Sequence, residues 1–183
     1  MLFLLKRTPR QAAIGLLILT ILGLGWRALR GEAATPFGLS SQSVLLGVAV
    51  FMSVLCCDGL LHGMLLLCWR EKYLRRFHEL ARVFRGQSGV AIALGALMAG
   101  IGEELVFRGL GTELDYLLGA ALLFGLLHYL RRAGWPFTLW SIWEGTIFAG
   151  AVWLTGALLV TMVAHFLHDV TGFLIFRHVN QSE

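Results

Sequence analysis

Apolar runs of about twenty residues alternate with short polar segments along this chain. Coiled as a helix, a run of that length matches the hydrocarbon core of a bilayer. Six runs are expected to span: residues 12–29, 44–69, 90–110, 115–130, 137–154 and 157–176. The fourth is short, and only Thr155-Gly156 separates the last two. Between the second and third lies REKYLRRFHELARVFRG, residues 70–86. Helical spacing puts Tyr73, Leu74, Phe77, Leu80, Val83 and Phe84 on one side of it, as in an amphipathic helix on the membrane surface. The expected fold class is all-α: a polytopic helical membrane protein with about six spans and one surface amphipathic helix.

Composition agrees. Hydrophobic residues make up 57% of the 183, and mean hydropathy is +0.75. A soluble domain is nearer roughly 45–50% apolar. Only three prolines interrupt the chain, and no short alternating segments of the kind a membrane β-barrel needs are present. The basic run at the start (Lys6, Arg7, Arg10) with Ala33-Ala34 further on resembles a signal peptide. Arg27, Arg30 and Glu32 intervene, so retention as a first span is expected.

Net charge is +4, and the basic residues flank apolar runs. That pattern reads as membrane orientation, and no nucleic-acid partner is expected. With the N-terminus inside, inner segments hold twelve of the fifteen Lys and Arg, outer loops hold Arg27 and Arg30, and Arg108 lies within a span. Both termini are therefore expected in the cytoplasm. Cys56, Cys57 and Cys68 share one apolar run without a CxxC pair, so free core thiols are expected rather than a zinc-cysteine site.

The third run is where chemistry enters. Its stretch GIGEELVFRGL carries Glu103, Glu104 and Arg108 within six positions. A charge at the centre of a spanning helix costs roughly 2.5–3.5 kcal/mol, so an intramembrane ionisable residue points to function. Glu104 and Arg108 are four apart and can pair on one helix face, which leaves Glu103 about a hundred degrees away to face something else. Two further runs add polar groups. LLFGLLHYL sets Phe124 and His128 four apart, and VAHFLHDVTG sets His165 and Asp169 four apart with His168 on a neighbouring face.

If the third and fourth runs form a hairpin, Glu104 lies about twelve residues before its turn and His128 twelve after, on the order of 18 Å on each arm. The groups can therefore meet. Taken singly, His128 reads as a packing histidine and the Glu-Arg pair as a structural brace. Taken together, the three segments read as one functional site. Asp58 and His62, also four apart, are expected to brace the second run as a buried pair. Glu144 is expected to face water near the start of the fifth, and His78 and His178 to be solvated.

EELVFRG, FGLLH and HFLHD, in that order, resemble the EExxxR, FxxxH and Hxxx(N or D) motifs of the type II CAAX prenyl proteases and their CPBP (Abi) relatives. The resemblance covers residues 95–176 and implies an intramembrane endopeptidase. It divides the single membrane domain, 1–183, into N-terminal spans and basic loop (1–88) and a catalytic core (89–178). It implies Glu103 as the base that activates water, Glu104 and Arg108 as the pair that holds it, and His128 as the group that positions the water. It implies His165 and Asp169 as stabilisers of the oxyanion. Asp169 stands where many relatives carry Asn. An ionised Asp cannot donate to an oxyanion, so it is either protonated or orients a histidine.

No cofactor is expected to be required. Zinc, held by Glu103, His128 and His165, is the alternative, and HExxH is absent. The expected partners are the lipid bilayer and a membrane-associated protein substrate, prenylated or carrying a C-terminal sorting signal. The short chain and minimal loops suit a multi-pass protein of the bacterial inner membrane. Two other readings stay open: a small proton-coupled transporter using the same acids, and a catalytically idle immunity or scaffold protein.

Overall fold

A computed structural model describes residues 36–128 and 135–179, with scattered helical positions between 14 and 29. Five helices follow in order among residues 36–179 as described: α1 (Ser41–Ala81), α2 (Gly89–Phe107), α3 (Leu114–His128), α4 (Trp135–Thr155) and α5 (Leu158–Val179), with a 3-10 turn, Arg82–Phe84, after α1. No strand occurs among the described residues, so the all-α expectation holds. The expected first span, 12–29, lies outside the described residues apart from those scattered positions.

Three of these helices, α1, α2 and α5, are long and apolar enough to cross a membrane. The apolar α3 has only 15 residues, about 22 Å of helix. That is short of a hydrocarbon core of roughly 30 Å. α4 has 21 residues, diluted by Thr138, Ser141, Glu144 and Thr146. Length and composition thus support three spans where about six are expected. The outer surface is apolar and the interior charged: Leu67 is 88% exposed and Leu154 77%, whereas Glu104 and Arg108 are fully buried. That distribution suits lipid as the solvent.

The second run and the amphipathic segment form one element. Ser40 caps it, its hydroxyl accepting from Ser43 N at 3.0 Å. Helical backbone is interrupted at Trp69 (φ −143°, ψ 37°), where the apolar part gives way to the basic part. The Trp69 ring meets Trp135 edge-on at 5.0 Å. Across the interruption, the Tyr73 hydroxyl shares a hydrogen bond with His62 Nδ1. Tyr73 and Leu80 are buried while Glu71, Lys72, Arg75 and Glu79 are exposed, as the amphipathic pattern requires. The cysteines are free, but Cys56 and Cys68 face outward, so they are not core thiols.

α5 is the central helix, packed on α1 and α2, while α3 packs on α4. α2 and α5 run antiparallel. Ile92 and Ala96 cluster with Phe173 and Phe176 at one end, and Leu105 with Leu158 and Met162 at the other. Small residues set these crossings. A Cβ on Gly100 would lie 3.2 Å from Met162 O and Phe166 N, so α2 meets the backbone of α5 there. On α3, a Cβ on Gly125 would lie 3.0 Å from Thr138 O of α4. The first amides of α5 have no partner within their own helix. Pro36 and Phe37 supply one, their carbonyls accepting from Leu158 N and Leu159 N at 3.0 Å each. Gly156, at φ +62°, makes the turn between α4 and α5.

Candidate active site

α2 ends at Phe107, three residues earlier than the apolar run suggests, so its charges fall in the last turn. Arg108 is the C-cap, and its N–H and that of Gly109 both donate to Glu104 O at 2.9 Å. A cation is favoured at that end of a helix. Arg108 NH1 donates to Glu104 Oε1 at 2.9 Å, with both side chains fully buried. NH2 reaches the Gly145 carbonyl of α4 at 3.3 Å. The guanidinium also lies 5.0 Å from the centre of the Phe124 ring and 5.8 Å from that of Phe148. The expected Glu104–Arg108 pair is present, and it also ties α2 to α3 and α4.

The close approach at Gly100 brings α5 alongside. His165 Nδ1 donates to Glu104 Oε1 at 2.9 Å. One carboxylate oxygen therefore serves the guanidinium and the imidazole together. With Nδ1 committed, His165 presents Nε2, which lies 3.8 Å from Glu103 Oε2 and 3.8 Å from Asp169 Oδ2. Two acids thus flank one ring nitrogen. All four groups are shielded: Glu103 is 6% exposed, Glu104 0%, His165 3%, and the Asp169 side chain 14%.

His128 reaches this region from the end of α3. Its Nδ1 donates to Phe124 O at 2.8 Å, and Nε2 is the nitrogen not used by that bond. Phe124 neighbours both histidines, its ring centre 4.6 Å from His128 and 6.2 Å from His165. His128 and Asp169 line one cavity of about 110 Å³. Glu144 and His168 also line it, and Phe137, Phe173 and Phe176 form its apolar end. The structure therefore brings Glu103, Glu104, Arg108, His165 and Asp169 together at α5, with His128 lining the same cavity as Asp169.

Two expectations are corrected. Glu144 does not face water: it is 8% exposed and lies 2.7 Å from His168 Nδ1. Asp58 does not brace His62. It accepts from His168 Nε2 at 2.7 Å, while His62 turns to Tyr73 and meets Trp140 edge-to-face, ring centres 4.5 Å apart. Glu104 does more than pair with Arg108, since it also fixes His165. The signal for Asp58 and Glu144 was their cost in an apolar run; the sequence held no clue to their partner.

Among the described residues, no three His, Cys, Asp or Glu side chains converge closely enough to hold a metal ion. Glu103 and His165 lie 3.8 Å apart, and with His128 they do not form such a group.

Residues 85–171 match the family described as type II CAAX prenyl endopeptidase Rce1-like. This segment is Rce1-like. It runs from the end of the 3-10 turn into α5 and contains all three motifs, so the Glu103, His128 and His165 regions all lie inside it. Neither the curated proteins nor the solved structures yield a match to the chain. The Rce1-like segment implies a protease, and its apolar helices imply an integral membrane protein.

Proposed function

We propose that the chain is an intramembrane endopeptidase that cleaves membrane-associated protein substrates near the C-terminus with a water activated by Glu103. The observation that carries this reading is His165. Glu104 holds one ring nitrogen, and the other faces Glu103 and Asp169, both at 3.8 Å. A water bonded at about 2.8 Å to both Glu103 Oε2 and His165 Nε2 closes at an angle of roughly 85°.

The step follows from that placement. Glu103 takes a proton from the water, and the resulting hydroxide attacks the substrate carbonyl. The oxyanion of the tetrahedral intermediate is stabilised by a protonated His165 Nε2, with Asp169 holding the ring's orientation. Glu103 then passes its proton to the departing amine, and the C–N bond breaks. Glu104 shares its charge between Arg108 and His165 and stays out of the proton traffic. His128, at the end of α3, positions the water through Nε2, since its Nδ1 is held by Phe124 O. No metal takes part in this scheme. We further propose that residues 89–178 form the catalytic core and 1–88 the supporting spans. The protein would sit in a bacterial inner membrane with both termini cytoplasmic.

The substrate class is a prenylated or sorting-signal-bearing C-terminus. Deleting the gene and sequencing membrane-protein C-termini tests this: one or more should lengthen in the deletion strain and return to size on complementation. A proton-coupled carrier predicts no change in any terminus and transport that collapses with the proton gradient. An idle scaffold predicts that Glu103→Gln has no phenotype.

A further inference from the structure

A second charged cluster lies outside the three motifs. His168 Nε2 donates to Asp58 Oδ2 at 2.7 Å, and its Nδ1 approaches Glu144 Oε1 to 2.7 Å without the alignment of a hydrogen bond. Asp58 is 5% exposed, Glu144 8% and His168 9%. α1, α4 and α5 each supply one member. A neutral imidazole has one N–H; the imidazolium has two and is the form that serves both acids. Turning His168 away would leave buried carboxylates without a counter-charge, so the ring is held from both sides.

That hold acts on the catalytic helix. His168 lies three residues after His165 and immediately before Asp169. A side-chain atom sits about 6 Å from a helix axis, so a rotation of about 10° moves it by roughly 1 Å. A misplacement of that size costs on the order of a hundredfold in rate. On α4, Glu144 also precedes Gly145, whose carbonyl accepts from Arg108 at 3.3 Å. The cluster is thereby joined at two points to the groups around Glu103.

We propose that Asp58, Glu144 and His168 are positioning residues: together they fix the rotation of α5 so that His165 Nε2 and Asp169 face Glu103. The proposal rests on the peptidase reading above and extends it to three side chains that the EExxxR, FxxxH and Hxxx(N or D) motifs do not include.

The test uses the full chain in detergent, labelled with 15N-histidine, with Asp58→Asn, Glu144→Gln, the double variant and His168→Gln. The two amide variants are isosteric, which keeps the test usable if His168→Gln folds poorly. Each single variant should lower kcat by roughly tenfold to a hundredfold with KM within about twofold. Each should also move the His165 ring 15N resonances, although neither residue touches His165. The double variant should lose no more than His168→Gln, because all act through one ring. Unchanged His165 resonances, or unchanged kcat per folded molecule beside a lowered Tm, overturn the proposal and leave a merely structural brace. If the wild type cleaves nothing, the peptidase reading fails, and the His165 resonances still decide whether the cluster positions that ring.

Discussion

Glu104 and His165 are 61 residues apart in sequence and 2.9 Å apart in space, with Glu104 Oε1 accepting from His165 Nδ1. The same oxygen takes Arg108 NH1 at the same distance. One fully buried carboxylate thus fixes a cation on its own helix and a histidine on another. Glu103 is left to face the opposite nitrogen of that histidine.

Glu103→Gln should abolish peptide cleavage while leaving the fold and membrane insertion intact. Loss of a general base costs roughly 10²–10⁴-fold. Turnover of a membrane-embedded substrate beside a thermal melt checks this. Wild-type turnover in the variant removes Glu103 as the base.

Glu104→Gln should act differently. It strips the charge that Arg108 and His165 share, so a buried guanidinium loses its paired carboxylate. Stability should fall by about 3–5 kcal/mol, and activity with it. Adding Arg108→Met should recover part of the stability and none of the activity, since an apolar group can replace a buried ion pair but cannot orient His165. Denaturation of the two variants in detergent gives the comparison; equal stability of Glu104→Gln and wild type would falsify the shared-carboxylate account.

Gly100 sets the spacing between α2 and α5. Gly100→Leu should force the helices apart and cost roughly 1–3 kcal/mol. It should also separate Glu104 from His165. Activity should therefore fall further than the loss of folded protein explains. Specific activity corrected for folded fraction measures this, and a purely proportional loss would rule it out.

On six expected spans, the count of twelve inner against two outer basic residues predicts cytoplasmic termini. Reporters fused within 70–86 and at either terminus should all mark the cytoplasmic side. An external report from 70–86 would overturn the orientation and the six-span arrangement with it.

The metal-free scheme predicts purified enzyme without stoichiometric zinc, and activity indifferent to chelators once detergent effects are controlled. One zinc per chain, with chelator inhibition reversed by added zinc, would move Glu103 from base to ligand.

Sequence alone determined what depends on local spacing. Apolar runs gave the helices, because burying a polar backbone in lipid leaves few alternatives to coiling. The 3.6-residue repeat gave the Glu104–Arg108 pair and the buried side of the amphipathic segment, because both partners sit on one element. The cost of charge in lipid marked Glu103, Asp58, His165 and Glu144 as unusual. Tertiary structure alone decided who meets whom. Asp58 looked four residues ahead to His62 and in fact meets His168, 110 positions away. Glu144 looked solvated and is buried beside the same ring. Helix spacing constrains only pairs on one helix. Pairs between helices depend on how closely the backbones approach, and Gly100 and Gly125 set that approach by carrying no side chain.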